Sequence, residues 1–286
     1  MPLDQELNEE KEMSFLDHLE ELRWHVVKAV AAIFICSIVG FVFVEWIFDH
    51  ILFAPSRIDF PTFKWMCDFG KLVGAEESLC VKALDVKIQS RIMTGQFMMS
   101  ITASFVIGLI VAFPYVFWQI WSFVKPGLHI KEKQSTRGVV FVVSFLFLLG
   151  CAFGYFILSP MTIWFLSTYT VSAQIINQFD ITSYVGTVVS MVLGCGLLFQ
   201  FPIVVYFLTK VGVLTPQFMR QFRKHAIVGI VIASAIITPS SDPFTLMLVA
   251  MPLYFLFEIS IFVSALEVRR MKRQEEADLL ADQQKN

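Results

Sequence analysis

Long stretches without a single charged side chain limit what this chain can fold into. Four of them carry no Asp, Glu, Lys or Arg: Ile92–Val124, Gly138–Phe179, Ile181–Thr209 and Ala226–Ser241. A run of about 20 apolar residues is long enough to cross the hydrocarbon core of a bilayer as one helix. The pattern therefore predicts an all-α integral membrane protein.

Composition supports the same class, because 56% of the residues are hydrophobic, only 16% are charged and 30 are Phe. These values lie far from the averages of soluble domains. One apolar segment near the N-terminus and one near the C-terminus add two further spans. We predict a single membrane domain, 1–286, with six transmembrane helices, an outer loop at 49–91 and a cytoplasmic tail at 267–286. The predicted spans are about 24–48, 96–124, 138–165, 185–209, 225–241 and 244–266.

The positions of Lys and Arg predict the orientation, since short loops rich in these residues stay in the cytoplasm. Such clusters follow the second, fourth and sixth predicted spans, whereas 167–184 contains neither residue type. Both termini are therefore expected in the cytoplasm. The clusters are Lys125, Lys131, Lys133 and Arg137; Arg220, Arg223 and Lys224; and Arg269, Arg270, Lys272 and Arg273.

The fifth predicted span is unusually short. Its uncharged run of about 16 residues gives about 24 Å of helix, against a hydrocarbon core of about 30 Å. The following "TPSSDP" turns the chain, because Pro243 interrupts a helix and Asp242 favours a turn or cap. Local thinning of the bilayer accommodates such a span. A tilted or partly re-entrant hairpin, buried against neighbouring helices, is an equal alternative.

Six motifs follow one another along the chain in a fixed order and spacing, and together they resemble the TatC family, the membrane core of the twin-arginine protein translocase. The motifs are "HLEELR" at 18–23, "FAPS" at 53–56, "FPYVFWQIWSFVKPGLHIKEK" at 113–133, "FQFP" at 199–202, "LTPQFMRQFRKHAIVG" at 214–229 and "TPSSDPFTLMLVAMPLYFLFE" at 238–258.

The resemblance implies six helices in a curved, glove-like arrangement. It also implies a signal-peptide receptor and translocation core that recognises paired arginines at its cytoplasmic face and exports folded proteins with the proton-motive force. The implied partners are twin-arginine signal peptides, small single-span Tat proteins of the TatA or TatB type, further copies of the chain and membrane lipid, but no nucleic acid. The implied location is the bacterial cytoplasmic (inner) membrane, and no cofactor is implied.

Four residues at the cytoplasmic side match positions that bind signal peptides in the family: Glu21, Glu132, Phe123 and Arg23. Carboxylates suit this task, because the guanidinium group is a rigid fork that pairs with them in a bidentate way. The resemblance assigns Glu21 and Glu132 as receptor acids, Phe123 as an aromatic in the same loop and Arg23 as a residue that orients the acids. Without the motifs, the same acids would be interpreted as helix caps and weak surface ion pairs.

Polar groups inside predicted spans are costly and are candidates for function. Gln200 and Glu258 lie at similar depth, which predicts that they face each other across a concavity open to the cytoplasm. The family frequently has Glu where Gln200 stands, and Gln cannot ionise near neutral pH. A structural role for Gln200, as an amide that joins helices, is an equal alternative.

Two residues near the outer ends of the spans complete the candidates. Asp242 matches an acidic family position, although capping of the following helix explains Asp there equally well. Pro55 matches a proline where partner helices dock, and its simpler interpretation is a turn. Gly150 and Gly154 form a GxxxG pattern, which is typical of close helix packing.

Motifs for other chemistry are missing from the sequence. There is no HExxH, CxxC or glycine-rich phosphate loop and no serine-nucleophile motif, so neither a metal site nor an enzyme is expected. A secondary transporter or ion channel and a structural scaffold remain as alternatives. Cys67 and Cys80 share the outer loop, where a disulfide and two free thiols are equally compatible with the sequence.

Overall fold

In a computed structural model the chain is predominantly helical. The structure describes residues 15–74, 80–81, 84, 86–124, 136–172, 174–238 and 243–283. Within these ranges, five helical stretches have the length and apolar composition needed to cross a membrane. They are Glu20–Val42, Gly95–Val124, Gly138–Thr168, Ile181–Lys210 and Thr245–Gln274.

The helices and strands, numbered along the chain, are α1 (Phe15–Val42), α2 (Val44–Ile47), α3 (Pro61–Val73), β1 (Lys87–Gln89), α4 (Gly95–Val124), α5 (Thr136–Phe153), α6 (Ser159–Thr168), β2 (Gln178–Asp180), α7 (Ile181–Leu198), α8 (Phe201–Lys210), α9 (Pro216–Gln221), α10 (Arg223–Ile237) and α11 (Pro243–Gln283). A π-helical turn, Phe48–Leu52, and a 3₁₀ turn, Ala54–Ser56, follow α2, and a second π-helical turn, Gly154–Leu158, joins α5 to α6.

The first two long helices, α1 and α4, pack closely along their length. A Cβ atom added at Gly108 would lie 2.6 Å from the backbone nitrogen of Ser37, and one added at Gly40 would lie 3.3 Å from the carbonyl oxygen of Ser104. Small residues therefore allow the two backbones to approach, as is usual where helices meet in a membrane.

The GxxxG pattern has its partner inside the same chain, on α7. A Cβ atom at Gly150 would lie 2.6 Å from the carbonyl oxygen of Cys195, and one at Gly154 would lie 2.6 Å from that of Met191. Gly196 in turn faces Cys151 at 2.7 Å. The predicted close packing is thus confirmed as a contact between α5 with its π-helical extension and α7.

Two prolines follow interruptions of the α-helical pattern inside membrane-spanning stretches. Pro202 lies two residues after a break at Phe199 and Gln200, which separates α7 from α8. Pro160 follows the π-helical turn between α5 and α6. Because proline cannot donate the backbone hydrogen bond that continues a helix, each position permits a change of direction.

The fifth predicted span coincides with α10, which is only 15 residues long. At 1.5 Å per residue it rises about 22 Å, less than the hydrocarbon thickness. Its crossing of the membrane, and hence the count of six spans, stays a prediction. By contrast α11 runs for 41 residues and continues beyond the predicted end of the last span at 266 into the predicted tail.

At the end of the bundle where α1 finishes, α3 and other short elements form a cap, which includes two strands that the all-α prediction omitted. β1 and β2 pair in parallel over three residues each. Asp180 accepts hydrogen bonds from the backbone nitrogens of Arg91 and Thr182, each at 2.9 Å. Together with the Thr182 hydroxyl, these donors lower the pKa of Asp180 below its usual range.

Candidate functional site

The candidate receptor acid Glu21 lies near the start of α1, in the turn that precedes the apolar part of the helix. Glu20 and Arg23 are exposed, whereas Glu21 is only partly exposed. Its Oε2 atom is buried and has no hydrogen-bond partner in the described part of the chain. A buried carboxylate oxygen without a donor is costly, so this position favours a ligand that brings a donor.

One turn further along α1, His25 joins α1 to α4. Its Nδ1 atom donates a hydrogen bond of 2.6 Å to the Oε1 atom of Gln119, which is only 4% exposed. Because residues four apart lie on one helix face, His25 and Glu21 share the side of α1 that faces α4.

Phe123 lies on α4 one turn beyond Gln119, as Glu21 lies on α1 one turn before His25. It is partly exposed and lies next to the last residue of the helix. The two helices run in opposite directions, so the steps from His25 to Glu21 and from Gln119 to Phe123 lead towards the same end of the bundle. The structure therefore brings Glu21 and Phe123 to one rim, next to the His25–Gln119 bond.

A second buried polar side chain, Trp121, continues this region towards α8. Its ring lies 5.3 Å from that of Phe207, centre to centre, and its Nε1 atom is buried without a hydrogen-bond partner among the described residues. Sequence reasoning missed His25, Gln119 and Trp121. Gln119, like Gln200, is a polar residue inside an uncharged run. The rule that polar residues in such runs are candidates for function therefore identifies Gln119 equally well.

The two intramembrane candidates have separate partners. Gln200, at the break between α7 and α8, donates from Nε2 to the carbonyl oxygen of Val143 at 3.2 Å, and its Oε1 atom is buried without a partner in the described residues. Glu258 binds Arg223 at 2.9 Å and accepts from the hydroxyl of Tyr254 at 3.1 Å. The structure thus joins Gln200 to α5 and Glu258 to α10, instead of joining the two to each other.

Pro55 is buried within the 3₁₀ turn at 54–56. Two tyrosine hydroxyls hold the preceding turn: Tyr155 donates to the carbonyl oxygen of Ile51 and Tyr184 to that of Leu52, both at 2.8 Å. A partner helix cannot touch the buried ring of Pro55 directly, so a docking role for this residue would act through the shape of the turn.

Two further candidates, Glu132 and Asp242, lie outside the described residues. The sequence left open whether Cys67 and Cys80 are bonded. In the structure they form a disulfide. Cys36, Cys151 and Cys195 are free thiols. No cluster of metal-ligating side chains occurs among the residues that the structure describes.

An open cavity of about 610 Å³ lies at the opposite end of the bundle from Glu21. Glu45 and Asp49 line it from the end of α1 and its extension, and Gln96 and Ser100 line it from the start of α4. Among the described candidates, neither Glu21 and Phe123 nor Gln200 and Glu258 line this cavity.

These features define a class: a multi-pass helical membrane protein with polar side chains at breaks and rims of its apolar helices. Comparisons with known proteins identify the family. Residues 17–252 match the family model described as TatC, Sec-independent protein translocase protein. The chain belongs to this family, whose members are components of a protein translocase, and the same membership makes it a multi-pass protein of the inner membrane.

Similar proteins are translocase components from distant bacteria. The Sec-independent protein translocase protein TatC of a Blattabacterium strain is 38% identical over 258 residues, which cover 90% of this chain and 97% of that protein. The TatC proteins of Halalkalibacterium halodurans and Aquifex aeolicus are each 31% identical, and the matches cover 93% of this chain and 94% and 100% of theirs.

Solved structures of the family share the fold. A crystal structure of the twin-arginine translocase receptor TatC superposes with a TM-score of 0.68 at 31% identity and covers 88% of this chain and 99% of that chain. A second crystal structure of this receptor, in the detergent DDM, gives a TM-score of 0.69 at the same identity. The family expected from the six motifs is thereby confirmed, and the alternative of a secondary transporter or ion channel is not favoured.

Proposed function

We propose that this chain is the signal-peptide receptor and core component of a twin-arginine translocase. It binds paired-arginine signal peptides at its cytoplasmic face and takes part in the export of folded proteins driven by the proton-motive force. Family membership supports the general role. The observation that carries the specific role is the rim where Glu21, whose buried oxygen has no partner among the described residues, and Phe123 come to the same end of α1 and α4.

The chemistry of this rim suits an Arg-Arg pair. A guanidinium group can donate to the buried Oε2 atom of Glu21 and at the same time lie against an aromatic face such as that of Phe123. Arg23 is exposed on the same helix and orients the acids. Glu132 supplies the second carboxylate in this proposal.

The remaining assignments belong to the same proposal. Six helices cross the membrane with both termini in the cytoplasm, α10 being the short fifth span. Gln200, Glu258 and Asp242 act as functional polar groups in or beside the membrane, and the turn at Pro55 helps to dock small single-span Tat partners. The translocase also contains further copies of the chain.

Photo-crosslinking tests the proposed receptor site. The full-length chain in nanodiscs carries a photo-reactive amino acid at position 20, 34 or 123, and is illuminated with a twin-arginine signal peptide. We expect crosslinks from positions 20 and 123, and few from position 34, which is exposed in the apolar part of α1. A twin-lysine peptide is the matched control, and equal crosslinking with both peptides would contradict recognition of the guanidinium pair.

A further inference from the structure

Helix α3, in the cap at the end of α1, exposes a large apolar stripe. Trp65, Phe69 and Leu72 are 62%, 61% and 85% exposed, and their spacing of four and three residues places them on one face. The disulfide joins Cys67 of this helix to Cys80. An exposed stripe that includes Trp and Phe is unusual in contact with water.

The rest of the circumference of α3 divides into two other stripes. Lys64, Asp68 and Lys71 repeat with the same spacing, are exposed, and include an ion pair of 3.4 Å between Lys71 and Asp68. On the third side Phe63 is 3% exposed and Gly70 is buried, so this side packs on the protein. At 3.6 residues per turn the three stripes are each about a third of a turn apart.

This division matches a helix that lies where protein, water and a third, apolar phase meet. Contacts at the start of α3 show how deep in the membrane this helix lies. Thr62 donates its hydroxyl to the carbonyl oxygen of Phe156, and the rings of Phe60 and Phe156 stack with centres 5.8 Å apart. The helix is therefore attached to the membrane-spanning stretch Gly138–Thr168 at Phe156.

The position of Phe156 in that stretch can be converted to a depth. Arg137 is the last charged residue before the stretch begins at Gly138. At 1.5 Å per residue, Phe156 lies about 27 Å along the helix axis from Gly138, while the hydrocarbon core is about 30 Å thick. The start of α3 is therefore level with the boundary between acyl chains and headgroups.

The apolar surface is also continuous with the lipid-facing surface of the bundle. Phe156 and Ile157, beside the attachment point, are 38% and 36% exposed on the membrane-spanning stretch itself. An amphipathic helix with Trp, Phe and Leu on one side and Lys on another is the type that lies in the headgroup region with its apolar face among the acyl chains.

From the three stripes, the depth and this continuity, we infer that α3 is an interfacial helix whose Trp65, Phe69 and Leu72 side chains insert into the lipid at the end of the bundle where α1 finishes. The helix lies along the membrane surface, anchors the cap to the bilayer and is held there by the Cys67–Cys80 disulfide.

Depth-dependent fluorescence quenching tests this inference on the full chain. A small fluorescent amino acid replaces Phe69 in one variant and Leu72 in another, and replaces Asp68 in the control. Each variant is placed as a single copy in phosphatidylethanolamine and phosphatidylglycerol nanodiscs, whose lipids carry bromine either near the top or near the end of the acyl chains. Mass analysis without reductant confirms that the Cys67–Cys80 disulfide, and with it the cap, has formed in each variant.

We expect bromine near the top of the chains to quench positions 69 and 72 several-fold more than position 68, and bromine at the chain ends to quench all three less. Equal quenching at positions 68 and 69 would overturn the inference, because it would mean that the stripe faces water. A probe at position 69 that is shielded from water-soluble quenchers but not quenched by brominated lipid would also overturn it, because the stripe would then be covered by protein.

Discussion

A hydrogen bond from His25 to Gln119 joins the first two long helices at the rim where Glu21 and Phe123 lie. Gln119 is almost fully buried, so its amide has few alternative partners. Buried polar pairs of this kind fix how two helices are rotated relative to each other. The direction in which Glu21 and Phe123 point therefore depends on a pair of side chains that does not itself need to touch a peptide.

Replacement Gln119→Leu tests this dependence. It leaves the imidazole of His25 without its partner, which typically destabilises a protein by about 1–3 kcal/mol. We expect a lower thermal midpoint in detergent and weaker binding of a twin-arginine peptide. Gln96→Leu is the matched control, because Gln96 is an exposed glutamine on the same helix. If both substitutions had the same effect, the His25–Gln119 bond would not position the rim.

Gln200 provides a second test at the level of one residue. Its Nε2 atom donates to the carbonyl oxygen of Val143, and Gln200→Leu removes this bond to α5. We expect the thermal midpoint of this variant to fall, because a hydrogen bond typically contributes about 0.5–1.5 kcal/mol to stability.

Thermal midpoints in detergent measure this effect, with Gln96→Leu as the control at an exposed glutamine. The control should lose little stability. Equal midpoints for the two variants would show that the side chain at position 200 does not bind the Val143 carbonyl in the folded protein.

At the level of helices, close backbone contact decides which segments pack together. The side of α5 and its π-helical extension that carries Gly150 and Gly154 meets α7 so closely that no Cβ atom fits. Helix association in lipid relies on such van der Waals contact, since burial of apolar surface gains little there. The helix break at Gln200 and the π-helical turn before Pro160 lie within or next to these packed segments.

The glycines allow a matched pair of substitutions. In Gly154→Ala the new Cβ would meet the carbonyl oxygen of Met191 at 2.6 Å, and overpacking of this kind usually destabilises a protein by about 1–3 kcal/mol. Gly186, on α7, has open space around it, so Gly186→Ala should be neutral or stabilise by up to about 1 kcal/mol through helix propensity. Thermal unfolding in detergent distinguishes them, and equal midpoints would contradict the packing of α5 against α7.

The sequence predicted the long helices well, because a charge-free run in a membrane protein has few other structures available to it. The disulfide remained open because cysteine spacing does not determine whether two thiols meet. The strand pair was missed because β1 and β2 have only three residues each and come from distant parts of the chain. The partners of Glu258 and Gln200 depend on how helices rotate around their axes, and depth alone did not predict that rotation.

At the scale of the whole molecule, the polar groups separate into regions. Glu21, His25, Gln119 and Phe123 lie where α1 begins and α4 ends, and the disulfide, the strand pair and Pro55 lie where α1 ends. Between them, the described helices present exposed apolar side chains such as Phe34, Ile38 and Phe145 to the lipid. In the proposed function, the first of these regions is the receptor surface, and the second lies at the other end of the apolar helices.

The affinity of the full chain for a twin-arginine signal peptide, measured in nanodiscs by fluorescence anisotropy, tests the receptor proposal most directly. Glu21→Ala should weaken binding by roughly tenfold or more, because a hydrogen bond to a charged group contributes about 1.5–3 kcal/mol. Glu132→Ala should weaken it as well, and added salt should weaken binding to the unmodified chain. Glu20→Ala removes the same charge from the exposed neighbour of Glu21 and should have little effect. Equal losses from Glu20→Ala and Glu21→Ala would contradict the assignment, because the peptide would then be bound by a diffuse acidic surface.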